Sequence, residues 1–182
     1  MLEPRHLLMP PSIVPLLEAD RLQARVRELG ASISVDYAGK RLALVCVLKG
    51  SFIFAADLLR AIELPARIDF LAVRSYGEGT SSSGVVQIVH DLSRSIEGED
   101  VLVVEDIVDS GLTLSHLLEL LGTRRPASLK VCALLHKPSR SRVAVPIDYL
   151  GFTVEDRFLV GYGLDHAERH RGLPYVGVLE NP

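Results

Sequence analysis

The sequence predicts an α/β fold built on a central, mostly parallel β-sheet flanked by helices. Three observations carry that expectation. Short apolar runs alternate with segments of helical period, the pattern of βαβ units. The runs place Val, Leu and Ile at consecutive positions, as strands buried on both faces of a parallel sheet do. A length of 182 residues with 48% hydrophobic content suits one domain, residues 1–182, with a sizeable core and a small appendage.

Taken in order, Pro10, Pro11 and Pro15 predict an irregular first segment. Asp20 then caps a helix whose apolar positions Leu22, Val26, Leu29, Ile33 and Tyr37 have amphipathic spacing. Residues 41–48 read as a buried strand, 52–62 as a helix and 66–73 as a second strand. Gly-Glu-Gly-Thr-Ser-Ser-Ser-Gly at 77–84 is too polar to pack and predicts a mobile loop. Residues 101–104, 129–135 and 149–152 continue the sheet, and 175–178 form a last short strand.

Composition excludes several classes. A formal net charge of -3 gives no general drive toward nucleic acid, and the short clusters Arg124-Arg125 and Arg140-Ser141-Arg142 read as solvated faces. Cys46 and Cys132 each lie inside an apolar run, which predicts two buried thiols in a reducing compartment, the cytoplasm. No apolar stretch approaches the roughly 20 residues that span a bilayer, and residues 1–15 lack the charged start and apolar core of a signal peptide.

The chemistry concentrates in residues 101–113, Val-Leu-Val-Val-Glu-Asp-Ile-Val-Asp-Ser-Gly-Leu-Thr. A β-branched strand runs into two adjacent carboxylates, Glu105 and Asp106, and then a third, Asp109. Ser110, Gly111 and Thr113 follow, small residues that cap a helix or let the backbone approach a ligand, and Leu114, Leu117, Leu118 and Leu121 continue at helical spacing. Unpaired N–H groups at such a helix start favour a phosphate. Carboxylates beside a phosphate cradle make poor phosphate ligands, so they are expected to hold hydroxyls, a divalent cation or a proton. An ordinary cap after a buried strand accounts for the serine and glycine, but not for two consecutive acids that need partners.

Residues 103–113 closely resemble the phosphoribosyl-pyrophosphate (PRPP) motif of the type I phosphoribosyltransferases. Four further segments, Val-Leu-Lys-Gly-Ser-Phe at 47–52, Arg-Ser-Tyr-Gly at 74–77, Leu-His-Lys-Pro at 135–138 and Phe-Leu-Val-Gly-Tyr-Gly-Leu-Asp at 158–165, are in this order similar to the hypoxanthine-guanine phosphoribosyltransferases. The resemblance runs from about residue 22 to 178. It implies the type I phosphoribosyltransferase fold, with a hood built from the N-terminal segment and the region near 153–182. Each segment follows a strand, and open parallel sheets bind ligands beyond the carboxyl ends of their strands, so distant segments are expected to share one crevice.

The implied reaction transfers 5-phosphoribosyl from PRPP to hypoxanthine or guanine, giving IMP or GMP and pyrophosphate. By the resemblance, Lys49, with a cis peptide at Leu48-Lys49, and the backbone of Gly50 and Ser51 meet pyrophosphate, with Ser75 and Tyr76 nearby and Arg171 as a second cation. Glu105 and Asp106 accept hydrogen bonds from the ribose hydroxyls, and the turn Ser110, Gly111, Leu112 and Thr113 holds the 5′-phosphate. Asp165 is the implied direct ligand of Mg²⁺, with a second Mg²⁺ near Glu105 and Asp106. Asp109 is the implied general base at purine N7. Lys137 donates to O6, which selects 6-oxopurines because adenine presents a donor there. Phe158 stacks on the ring, with Ile107, Leu159 and Asp165 around it. Locally, a solvated lysine before a proline turn and a core phenylalanine are the plain alternatives for Lys137 and Phe158. A homodimer or homotetramer is the implied assembly.

Other patterns are weaker. His166 and His170 stand at i and i+4, one face of a helix, but without a third ligand they read as surface residues rather than a zinc site. Gly161-x-Gly163 lacks the third glycine of a dinucleotide fingerprint, and no Gly-x-x-x-x-Gly-Lys-Ser/Thr occurs. The competing functions are a regulatory protein that keeps the PRPP fold and binds nucleic acid, a transferase acting on a pyrimidine or on adenine, and a transferase preferring xanthine. The acidic balance, Lys137 and the segment 158–165 count against the first, and Lys137 with 158–165 against the second; all three 6-oxopurines stay open, xanthine included.

Overall fold

The computed structural model describes residues 12–75 and 86–180. Its main sheet has six strands in the order β4-β3-β2-β5-β6-β7: β2 (Leu42–Leu48), β3 (Ala66–Ser75), β4 (Val86–His90), β5 (Asp100–Val108), β6 (Ser128–His136) and β7 (Tyr149–Thr153). All neighbours pair in parallel except β3 with β4, which is antiparallel at the sheet's edge. A separate three-stranded antiparallel sheet, in the order β1-β9-β8, joins β1 (Ile13–Leu17), β9 (Val176–Leu179) and β8 (Leu159–Val160).

Strand alternation explains why the central runs are apolar at every position. Leu42, Leu44, Cys46, Leu102, Val104, Cys132 and Leu134 face a core filled by α1 (Ala19–Asp36) and α2 (Phe52–Ala61), through Leu22, Leu29, Ile33, Phe54 and Leu58. The intervening Ala43, Val45, Val47, Val101, Val103, Val131 and Ala133 face a second core under Leu114, Leu117 and Leu121 of α3 (Leu112–Gly122). Both faces are therefore covered, and neither set of residues can turn polar without a buried penalty. Cys46 and Cys132 are free and buried. No helix of the described residues is long and apolar enough to cross a membrane.

Several expectations change. Pro10 and Pro11 lie outside the described residues, but Pro15 lies within β1 instead of an irregular segment; the strand is at a sheet edge and its register shifts between Pro15 and Leu17, where a missing N–H is tolerated. Asp20 does not cap α1: the helix begins at Ala19, the carbonyl of Glu18 accepts the Leu22 N–H at 3.0 Å, and Asp20 falls in the first turn, favourable to the helix dipole. β5 continues past Val104 to Val108, carrying Glu105 and Asp106 inside the strand, because β6 pairs with it as far as Val108 opposite His136. β4 was not anticipated. The loop expected at 77–84 lies outside the described residues.

Asp69 ties β3 to the segment after β4. Its buried carboxylate accepts from the N–H groups of Phe70 (2.9 Å), Ser93 (3.0 Å) and Arg94 (3.3 Å) and from Ser93 Oγ (2.9 Å). Burial acts to raise its pKa, but these donors together hold it below the ordinary carboxylate value. A depressed folded-state value means stabilisation fully present above the unfolded-chain value of about 4 and lost as pH falls through the folded one. Asp69→Ala is expected to cost about 2–3 kcal/mol in urea unfolding at pH 7, since it strands buried donors. The gap between variant and wild type should narrow below about pH 4, and a gap independent of pH would assign the loss to packing.

Candidate active site

A cavity of about 290 Å³ opens at the carboxyl ends of β2 and β5 and the start of α3, lined by Lys49, Gly50, Glu105, Asp106, Asp109 and Ser110 among others. The Leu48–Lys49 peptide on its rim is cis. A Cβ at position 50 would run into the Asp106 carboxylate, so a side chain there would have to displace Asp106. Gly163, at φ +104°, is packed so closely on the Gly50 carbonyl that a side chain would collide with it, which joins the loop after β8 to the loop after β2. Ser51 is fully buried and lines neither this cavity nor the one described below; its hydroxyl donates to the Val47 carbonyl at 2.6 Å, so its side chain serves the loop.

Glu105 is buried and Asp106 half-buried. Burial, followed by the neighbouring charge of Asp106, pushes the Glu105 carboxyl well above the usual range. Asp106 is pushed up to about 6, chiefly by burial and further by Asp165, against the lowering effects of the Ile107 N–H at 2.8 Å and of Arg171. Two adjacent acids with so little internal compensation favour partners that bring hydrogen-bond donors or positive charge.

The turn into α3 differs from the expected cap. Gly111 is the N-cap residue at φ +78°, and no side chain caps the helix; Ser110 Oγ reaches only the Leu112 N–H, at 3.4 Å. A Cβ on Gly111 would strike the Val143 carbonyl. Ser110's own carbonyl accepts from the N–H groups of Arg142 (2.9 Å) and Val143 (3.1 Å), which pins the turn from behind. The first regular helix bond runs from Ser115 N–H to Gly111 O, so the earlier N–H groups, including that of Thr113, are left for an anion.

A second cavity, of about 420 Å³, is lined by Ile107, Asp109, Lys137, Phe158, Leu159 and Leu164 together with Arg140, Asp156 and Arg157. Lys137 is not a solvated lysine: its side chain is 10% exposed, and Nζ donates to the Arg157 carbonyl at 2.7 Å and lies 3.5 Å from Asp156 Oδ1. Phe158 is not a core residue, being 44% exposed with His166 edge-on at 5.3 Å. Asp109 lines both cavities and marks the point where they meet.

Asp165 lines neither cavity. Its Oδ1 pairs with Arg171 at 2.9 Å and its Oδ2 accepts the Glu168 N–H at 2.8 Å, while Arg171 also donates to the Gly163 carbonyl at 2.8 Å. Lys49 lies 3.1 Å from both carboxylate oxygens of Glu168. Arg171 Nη2 also lies 3.4 Å from Glu168 Oε2, so the two cations expected at pyrophosphate converge on Glu168, an acid that sequence reasoning did not single out. Ser75 ends β3, and Tyr76 lies outside the described residues. His166 and His170 do not share a helical face: 165–172 form turns with a bridge between His166 and Arg169 and positive φ at Ala167, Glu168 and His170. Among the described residues no group of three or more His, Cys, Asp or Glu side chains is gathered to hold one metal ion by itself.

The family model described as a phosphoribosyl transferase domain matches residues 16–167. Hypoxanthine-guanine phosphoribosyltransferase of Mycobacterium avium is 54% identical over 171 residues, covering 91% of this chain and 84% of its own. Hypoxanthine phosphoribosyltransferase of Salmonella typhimurium is 51% identical over 158 residues, covering 86% of this chain and 89% of its own. The crystal structure of a hypoxanthine phosphoribosyltransferase from Staphylococcus aureus matches with a TM-score of 0.89 at 46% identity, over 91% of this chain and 90% of that one. The chain belongs to the phosphoribosyltransferase family, within its hypoxanthine-guanine branch.

Proposed function

We propose that the protein is a purine salvage enzyme that transfers 5-phosphoribosyl from PRPP to hypoxanthine or guanine, releasing pyrophosphate. The observation that carries this reading is Asp109 at the junction of the two cavities, one ending in a helix N-terminus suited to phosphate and the other lined by a buried lysine and an exposed phenylalanine. The relatives named above for these bases support the same substrates.

In this reading the helix N-terminus at residues 110–113 holds the 5′-phosphate, with Ser110, Gly111, Leu112 and Thr113 contributing N–H groups and two hydroxyls. Glu105 and Asp106 accept from the ribose hydroxyls. Lys49, the backbone of Gly50 and Ser51, and Arg171 meet the pyrophosphate, on which negative charge grows as its bond to C1′ breaks. Ser75 and Tyr76 complete that side. Asp109 takes the N7 proton as N9 attacks C1′; a carboxylate suffices because the purine N–H becomes more acidic as the new bond forms. Lys137 donates to O6, Phe158 stacks on the ring, and Ile107 and Leu159 flank it. The sheet formed by β1, β8 and β9 acts as a hood within a single domain.

Glu105 is buried with no donor to its carboxylate among the described residues, and the acids available are oxygen donors in ones and twos rather than a closed cage. That fits Mg²⁺, which is commonly held by one or two carboxylates together with substrate phosphates and water. Asp165 would hold one such ion and Glu105 with Asp106 would lie near a second, and when bound they would neutralise charge on the leaving pyrophosphate. Small-molecule substrates without nucleic-acid or membrane partners, a cytoplasmic location and a homodimer or homotetramer complete the proposal.

The test is pyrophosphate release with PRPP, Mg²⁺ and each of hypoxanthine, guanine, xanthine and adenine. Release with hypoxanthine or guanine and little with adenine is expected. Release with adenine alone, or with none of the four, would overturn the reading.

A further inference from the structure

We infer that Arg140 is a positioning residue that fixes Asp109 for proton transfer from the purine, a role that rests on the transferase reading above. Arg140 closes a 3-10 turn, Pro138–Arg140, whose N-cap is Lys137. Positions three apart eclipse in such a turn. Lys137 and Arg140 accordingly line the same cavity.

Arg140 Nε lies 2.8 Å from Asp109 Oδ1, and its Nη1 lies 3.4 Å from Asp156 Oδ2. Asp156 Oδ1 is in turn 3.5 Å from Lys137 Nζ. Charges thus alternate along one wall of the cavity in the order Asp109, Arg140, Asp156, Lys137, connecting the carboxylate assigned to N7 with the ammonium assigned to O6. Those two purine atoms are neighbours on the base.

Asp109 Oδ1 is buried and receives no well-directed hydrogen bond, so the guanidinium charge is what compensates it. With Oδ1 facing Arg140, Oδ2 is the oxygen left to receive the purine proton. Arginine suits this place because it stays charged and cannot itself accept the proton. A purely structural role explains the pair poorly: the two side chains are 45% and 41% exposed, and ion pairs that open to solvent contribute little to stability.

Arg140→Ala is expected to lower kcat with hypoxanthine about 10-fold, within the range of coupling between contacting residues, with KM for PRPP changed by no more than about twofold. Its thermal midpoint should fall by no more than about 2–4 °C, the shift for about 1 kcal/mol in a chain of this size, and Arg140→Lys should recover part of the lost turnover. Because Arg140 acts through Asp109, the double variant carrying Arg140→Ala and Asp109→Asn should be no slower than Asp109→Asn alone. Losses that multiply in the double variant would overturn the role, as would wild-type kcat in Arg140→Ala beside a slow Asp109→Asn. Wild-type turnover by Asp109→Asn would be a different failure, removing the base assignment on which the inference depends.

Discussion

Asp109→Asn is expected to lower kcat by about 10² to 10⁴ while the KM for PRPP stays within a few-fold. The substitution keeps the size of the side chain and removes its ability to accept a proton. Asp109 borders both cavities, so it meets the purine and the sugar only when both are bound. Its loss should therefore fall on the transition state rather than on the binding of either substrate. Steady-state kinetics with PRPP and hypoxanthine measure this directly. Unchanged kcat would remove Asp109 from proton transfer, and a large rise in KM with kcat preserved would make it a binding residue.

Lys137→Ala should reduce kcat/KM for hypoxanthine and guanine by roughly 10- to 100-fold, the range for a lost hydrogen bond from a charged donor. Lys137 is buried, and its ammonium is already oriented by the Arg157 carbonyl and by Asp156. Orientation of this kind lets the lysine read O6 with a fixed geometry, and it makes the 6-amino group of adenine a donor facing a donor. The variant should therefore lose 6-oxopurine turnover and also part of its discrimination against adenine. If turnover fell while the ratio of hypoxanthine to adenine use stayed at the wild-type value, Lys137 would be supporting the cavity wall rather than reading the base.

The central strands and the acidic turn were legible because their signals are local. A strand covered on both faces must be apolar at consecutive positions, and residues 101–104 satisfy this by themselves. Adjacent Glu105 and Asp106 at the end of such a run announce a site for the same reason, since buried acids need partners. What was missed depends on contacts between distant segments. Arg140 belongs to a cluster that reads as a solvated face, and only the turn after β6 carries it to Asp109; its three-residue spacing from Lys137 was the available signal. Glu168 gives no sequence sign of meeting Lys49, which lies on another loop. The i, i+4 spacing of His166 and His170 suggests a helix, but positive φ at three residues of 167–170 breaks it. β4 is a five-residue edge strand whose partner among the described residues is β3, too short for its alternation to stand out. Glu105 and Asp106 stay within β5 because pairing with β6 outweighs the weak strand preference of acidic residues.

The most direct measurement is a crystal structure of the protein with IMP and pyrophosphate bound. The 5′-phosphate is expected on the N–H groups of residues 110–113, the hypoxanthine ring beside Phe158 with O6 within hydrogen-bond distance of Lys137 Nζ, and N7 facing Asp109 Oδ2. A nucleotide with its phosphate on that turn but its base outside the Lys137 cavity would contradict the assignment of the two cavities to the two halves of one product.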